Sequence, residues 1–241
     1  MTYQSRSYRK YTQSDNLVSF TAAILQTDLF ISADNDLKEE AESSIMRLRA
    51  DIEEYIRLYP EFATTLKPVA CDKKASPVVE NMIRASESCN VGPMAAVAGA
   101  IAEGVGKDLL KLSSQVIIEN GGDIFMASKE ARIVGLYAGA SKFTNKVGIK
   151  IEPENTPCGI CTSSATVGHS LSFGKADAVV VLSDSASLAD CCATALCNSI
   201  TSRDDIDSTI NRGKKIRGVT GIIIIIGDAL GVWGSVKLID I

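Results

Sequence analysis

Aromatic residues are scarce in this chain: six Phe, six Tyr and one Trp, 5% of the sequence. With so few rings, and with Ala, Ser and Gly plentiful, the core has to be aliphatic with close backbone contacts. Long apolar runs are missing too. The longest, residues 221–227, is far shorter than the roughly 20 residues of a membrane span, so it reads as a buried strand and a membrane partner is not expected. An excess of basic charge is also absent. At a net charge of −4 the chain lacks the concentrated positive surface that phosphate backbones require, which argues against nucleic acid as its main partner. The first 16 residues are polar and hold no apolar signal core, so the expected location is cytoplasmic, with residues 1–15 a flexible N-terminal segment. Disulfides are not expected. Seven cysteines, an odd number, fit a reducing compartment where thiols are packed, bind metal or react. No internal repeat, low-complexity tract or linker divides the 241 residues, so one domain spanning residues 1–241 is expected.

What is present reads as alternating short strands and amphipathic helices. Residues 17–25 and 28–32 suggest an opening hairpin. Over 37–59 the apolar residues Leu37, Ala41, Ile45, Leu48, Ile52, Tyr55, Ile56 and Tyr59 recur at helical spacing, and Pro60 ends the run. Residues 68–76 read as a loop and 78–88 as a short helix. Gly92 and Pro93 open another helix, with Met94, Val97, Ile101, Val105 and Leu109 on one stripe and small residues between them. Such small residues let another backbone, or a ligand, lie close. Strands are expected at 115–120, 124–128, 132–139, 146–151 and 178–182, a helix at 187–199, a helix and its turn at 201–212, and closing strands at 218–226 and 232–239.

The chemistry concentrates in residues 158–198, which hold the single histidine and five of the cysteines. Cys158 and Cys161 form a C-x-x-C, spaced for thiol exchange or half of a metal site. Thr162, Ser163 and Ser164, with Thr166 and Gly168, make a small, hydroxyl-rich loop suited to phosphate or diphosphate, without the spacing of a Walker loop. His169 follows, a residue that is either structural or able to stabilise charge and move a proton. Asp190 and Thr194 are spaced i, i+4, so a helix puts their oxygens on one face. That suits Mg²⁺ with water and a substrate phosphate, although residues 187–190 equally fit a helix-start cap. Upstream, Gly121 and Gly122 follow a strand and precede Asp123, which either meets a ligand or closes an Asx-type turn.

In this order the pieces resemble the ApbE-type flavin transferases. Asn120, Gly121, Gly122, Asp123 and Ile124 look like that family's N-x-G-G-D-I strand end, and residues 91–102 sit where it has a ligand-facing helix. Thr162, Ser163 and Ser164 resemble its A-T-S-G loop, His169 its following histidine, and residues 186–195 its S-A-x-x-A-D-A-L-A-T-A segment. The resemblance implies an α+β fold, with mixed or antiparallel sheets and helices around one ligand cleft. It further implies Mg²⁺ on Asp190 and Thr194, and FAD bordered by Asn120, Gly121, Gly122 and Asp123 and by the 162–164 loop. The implied reaction is transfer of FMN to a hydroxyl of a protein acceptor, or hydrolysis of FAD to FMN and AMP. Three family features are missing: the lysine after the glycine-rich turn, the Asp-Pro after His169, and an early H-x-M-G-T. Two other readings stand beside this one. The first is a thiol-dependent, sulfur-handling protein using Cys158 and Cys161, and the second a small-ligand sensor without catalysis. The apolar terminal strands suit a homodimer.

Overall fold

The computed structural model describes residues 16–167 and 173–241. Its first elements follow the sequence pattern closely. Strands β1 (Val18–Ile24) and β2 (Thr27–Ala33) form the opening hairpin, and helix α1 (Lys38–Leu58) buries Ala41, Ile45, Leu48, Ile52 and Tyr55 along its apolar stripe. Helix α2 (Pro77–Cys89) carries proline in its first turn, where a missing N–H costs nothing, and ends on Asn90 in the left-handed region at φ 56°. A 3-10 turn, Pro93–Ala96, leads into α3 (Val97–Leu109).

Beyond α3 come β3 (Val116–Asn120), β4 (Asp123–Ala127), β5 (Arg132–Gly135), β6 (Val147–Ile151), β7 (Cys158–Ser163) and β8 (Ala178–Ser183). Helix α4 (Ala186–Cys197), helix α5 (Ile206–Gly213) and strands β9 (Val219–Ile226), β10 (Ala229–Gly234) and β11 (Lys237–Asp240) complete the chain. Eight strands form one sheet in the order β1-β2-β3-β4-β7-β8-β9-β10, and β11-β6-β5 form a second. The pairings are antiparallel throughout. The fold is α+β with antiparallel sheets, as expected.

The large sheet is buried on both faces, because alternate residues of each central strand point to opposite sides. Against the helices lie Leu29, Ile31, Ile118, Phe125, Val181 and Ile222. Against the small sheet lie Ile117, Met126, Ile160, Val180, Leu182 and Ile223, with Ile149 and Ile151 facing them. A fully buried aliphatic side chain is worth about 1.5–3 kcal/mol relative to exposure, so these layers fix the sheet on which the polar residues are displayed.

Two expectations are corrected. The hydroxyl-rich stretch is not a loop from its start, since Thr162 and Ser163 complete the central strand β7 between β4 and β8. The last strand is broken in two. Gly234 at φ 91° turns the chain out of the large sheet, and β11 pairs with β6 in the small one. Among the described residues no helix is long and apolar enough to cross a membrane. The N-terminal segment 1–15 and His169 lie outside the described residues.

Candidate functional site

The site is built where α3 and α4 meet the helix-facing side of the large sheet. Glycine sets how close they come. A β-carbon on Gly99 of α3 would stand 2.2 Å from the Ala186 carbonyl oxygen, and one on Gly159 of β7 would stand 2.3 Å from the Ala186 α-carbon. Ala186, the first residue of α4, is thus held between a helix and a strand at distances only glycine allows. Cys161 donates its thiol to the same Ala186 carbonyl at 3.3 Å.

From that anchored start, α4 presents Asp190 and Thr194. Nearly every other residue of the helix is buried, and Asp190 and Thr194 are partly open together on one side, as the i, i+4 spacing requires. Asp190 Oδ2 accepts the Gly99 N–H at 2.9 Å, and the neighbouring Ala98 N–H also favours the ionised carboxylate. These donors are among the unsatisfied N–H groups of the first turn of α3, where partial positive charge favours a carboxylate. Burial nevertheless pushes the Asp190 carboxyl up to about 7, against the pull of the two N–H groups.

Asp123 opens β4 and is buried. The turn before it is a two-residue hairpin: Asn120 pairs with Asp123, and Gly121 and Gly122 take φ of 67° and 104°. Positive φ at both central residues is what a type I′ turn demands. No atom lies within 4 Å of a β-carbon built on either glycine, so backbone conformation, and not crowding, calls for glycine there. Glu119 Oε1 accepts the Gly122 N–H at 2.8 Å, and the Asn120 side-chain amide donates to the Ala98 carbonyl at 3.0 Å, joining the turn to the start of α3. Asp123 Oδ1 accepts the Thr162 N–H at 3.3 Å. Burial raises the Asp123 carboxyl well above the usual carboxylate range, and the nearby charge of Asp190 adds to it.

Asn120, Asp123, Cys161, Asp190 and the first turn of α3 therefore converge, with Thr194 beside Asp190. The hydroxyls divide. Alternation along β7 turns Ser163 toward the helices with Cys161, and Thr162 toward the small sheet, so only the backbone of Thr162 reaches Asp123. Ser164 Oγ accepts from the Thr166 and Val167 N–H groups at 3.1 and 2.9 Å, closing a local turn.

The C-x-x-C spacing does not bring its thiols together. Three residues apart on a strand, Cys158 and Cys161 point to opposite faces, one into each core. Burial pushes the Cys158 thiol up to about 12 and raises Cys161 as well, with the charge of Asp123 adding to the latter. None of the seven cysteines is in a disulfide, and only Cys71 is exposed.

Among the described residues no group of three or more His, Cys, Asp or Glu side chains is placed to hold a metal ion by itself. A hard cation that takes one or two carboxylates plus water and substrate phosphates, as Mg²⁺ does, fits the donors present: the second oxygen of Asp190 and the Thr194 hydroxyl. Among the described residues no cationic side chain pairs with Asp123 or Asp190, whose charges oppose each other.

Sequence reasoning passed over the residue that ties this arrangement together. Glu103, buried on α3, accepts from Ser185 Oγ at 2.8 Å and from the Ser187 N–H and hydroxyl at 3.1 and 3.2 Å, and forms an ion pair with Lys107 at 2.6 Å. Burial works against its charge. The Lys107 ammonium, the Ser187 N–H and the Ser185 hydroxyl outweigh it and hold the carboxyl below its ordinary value. The available signal was one carboxylate set among the small and apolar positions of α3.

A family model described as AbpE bacteria matches residues 9–232. A UPF0280 protein of Methanocaldococcus jannaschii is 42% identical over 219 residues, covering 88% of this chain and 89% of the relative. One from Methanosarcina acetivorans is 38% identical over 217 residues, covering 89% and 85%. Among solved structures, the flavin transferase ApbE of Vibrio cholerae superposes with a TM-score of 0.58 at 14% identity, over 91% of this chain and 97% of that one. The apo flavinyl transferase ApbE of Pseudomonas stutzeri gives 0.57 at 11% identity, over 90% and 94%. At such identities the structural likeness speaks for the fold. Sequence similarity running through both sheets and the helices between them carries the assignment: the chain belongs to the AbpE bacteria family.

Proposed function

We propose that the protein binds a flavin nucleotide, FAD, through its diphosphate together with Mg²⁺, and acts on the phosphoanhydride bond, moving FMN to a hydroxyl acceptor or to water. The observation that carries this reading is the meeting of Asp123 and Asp190 at the first turn of α3. Asp190 is held there by the Gly99 N–H, which leaves its other oxygen for the cation, and Thr194 adds a hydroxyl one turn along. Bound Mg²⁺ would supply charge neutralisation on the diphosphate and polarise the phosphorus under attack. The open glycine turn leaves room for a flat ligand against the backbone, and Asn120 fixes that turn to α3. Asp123, with its raised carboxyl, is suited to take or hold the acceptor's proton. The fold shared with structures named as flavin transferases supports the same choice of ligand. Nothing in the geometry favours the sulfur-handling alternative, because Cys158 and Cys161 face apart.

The test is titration of the purified protein with FAD, FMN and ADP, with and without Mg²⁺, followed by flavin fluorescence and calorimetry. FAD binding that depends on Mg²⁺ in the native chain and loses that dependence in Asp190→Ala supports the reading. Binding that is indifferent to Mg²⁺, or Mg²⁺ dependence that survives in Asp190→Ala, overturns it.

A further inference from the structure

Helices α3 and α4 cap one another. Asp190 of α4 receives the Gly99 N–H in the first turn of α3, and Glu103 of α3 receives the N–H and hydroxyl of Ser187 at the start of α4. Gly99 and Glu103 are one turn apart on α3, so both contacts lie on a single face, and Lys107, one turn further, neutralises the carboxylate. Ser185, the residue before α4, adds its hydroxyl to the same Glu103 oxygen. One buried oxygen therefore gathers three donors from Ser185 and Ser187, while the other is taken by Lys107.

We propose that Glu103 is the positioning residue of the site: by holding the first turn of α4 it sets where Asp190, and with it Thr194, stands against α3. Glu103 does not touch Asp190, and it acts through Ser187, three residues earlier on the same helix. Glutamine would keep one acceptor for the serines but would replace a charged acceptor with a neutral one and lose the pairing with Lys107, whose side chain is largely exposed. The first turn of α4 would then be held less firmly. Asp190, three residues further along α4, would in turn be held less firmly where the two helices meet at Gly99 and Ala186.

The readout is the Gly99 amide. As a first-turn N–H it has no partner within its own helix, so its protection from hydrogen exchange reports the Asp190 contact and nothing else in the site. Measured by NMR on the full, metal-free chain, Glu103→Gln should speed Gly99 exchange on the order of tenfold, a sub-global opening and not unfolding. A role confined to capping α4 would speed Ser187 and leave Gly99 unchanged, and that result overturns the proposal. Ser187→Ala removes a single hydroxyl and should move Gly99 in the same direction by less. If Glu103→Gln does not fold, unchanged Gly99 exchange in Ser187→Ala overturns the proposal equally. The functional part rests on the Mg²⁺-nucleotide reading above: affinity for ADP with Mg²⁺ should weaken roughly tenfold in Glu103→Gln, the scale seen when residues supporting a metal ligand are removed. An unaltered affinity overturns that part. The exchange measurement uses no ligand, so a native chain that binds no Mg²⁺-nucleotide defeats the functional reading while Gly99 still decides the role of Glu103.

Discussion

Replacing Asp190 with asparagine should stabilise the metal-free protein at alkaline pH. Asparagine keeps a carbonyl oxygen to receive the Gly99 N–H and removes the charge that opposes Asp123. The sign follows from the pKa shift. The Asp190 carboxyl moves from 3.8 in the unfolded chain to about 7 in the fold. A carboxylate raised in this way contributes stability that is fully present below about pH 4 and is lost as pH climbs through about 7. At about 1.4 kcal/mol per unit, ionised Asp190 costs the native state roughly 4 kcal/mol as a ceiling. For a chain of this size 1 kcal/mol corresponds to about 2–4 °C in melting temperature, so Asp190→Asn should melt up to ~16 °C above the native protein at about pH 8 in a chelator. The gain should shrink as pH falls toward 4. Excess Mg²⁺ should reverse the order, raising the native chain and leaving the variant where it was. A variant that melts below the native chain at about pH 8 in chelator would refute the reasoning, because the cap on α3 would then outweigh the charge.

Three further outcomes follow from the geometry. Gly99→Ala puts a methyl group 2.2 Å from the Ala186 carbonyl; such overpacking typically costs about 1–3 kcal/mol, and a chemical denaturation midpoint equal to that of the native chain would show that α4 can move aside. At Gly121 or Gly122 alanine meets open space but has to adopt positive φ, a cost of roughly 1–2 kcal/mol, so stability should fall without any clash, and an unchanged denaturation curve would contradict the turn. In thiol titration under native conditions only Cys71 should react quickly with an aromatic disulfide reagent. Rapid reaction of a second thiol would mean that Cys158 or Cys161 is reachable.

Helices with one apolar stripe were legible in the sequence. In α1 the spacing from Ala41 to Tyr55 is the buried face itself. The hairpin turn at Gly121 and Gly122 was legible as well, because paired glycine after a strand has few uses. Strand β7 was not. Its residues are buried on both faces, which removes the alternation that would announce a strand, and its Cys, Gly, Thr and Ser suggest a loop by composition. The same error made Cys158 and Cys161 look like a pair, since a C-x-x-C has meaning on a helix or turn that it lacks on an extended chain. Spacing could put Asp190 and Thr194 on one face of a helix, and the family resemblance singled them out from the cap that fits residues 187–190 equally. Glu103 could not, since its importance comes from Ser185 and Ser187 at the start of α4, 82 to 84 residues away in sequence.

Strand β9 has a quieter consequence. Its residues Ile222, Ile223, Ile224 and Ile225 are all fully buried, alternating between the helix side and the small-sheet side. A slip of one position would exchange the two sets and change nothing chemically, because every side chain is the same. Such a strand holds no information about its own alignment, unlike one in which polar residues mark the outer face. The alignment has to be written at its ends. Gly221 sits where a β-carbon would meet Val236 at 2.6 Å, and Gly227, at φ 58°, donates its N–H to Asp177 at 2.7 Å. The most uniform stretch of the chain thus depends for its meaning on two glycines and an aspartate that lie outside it.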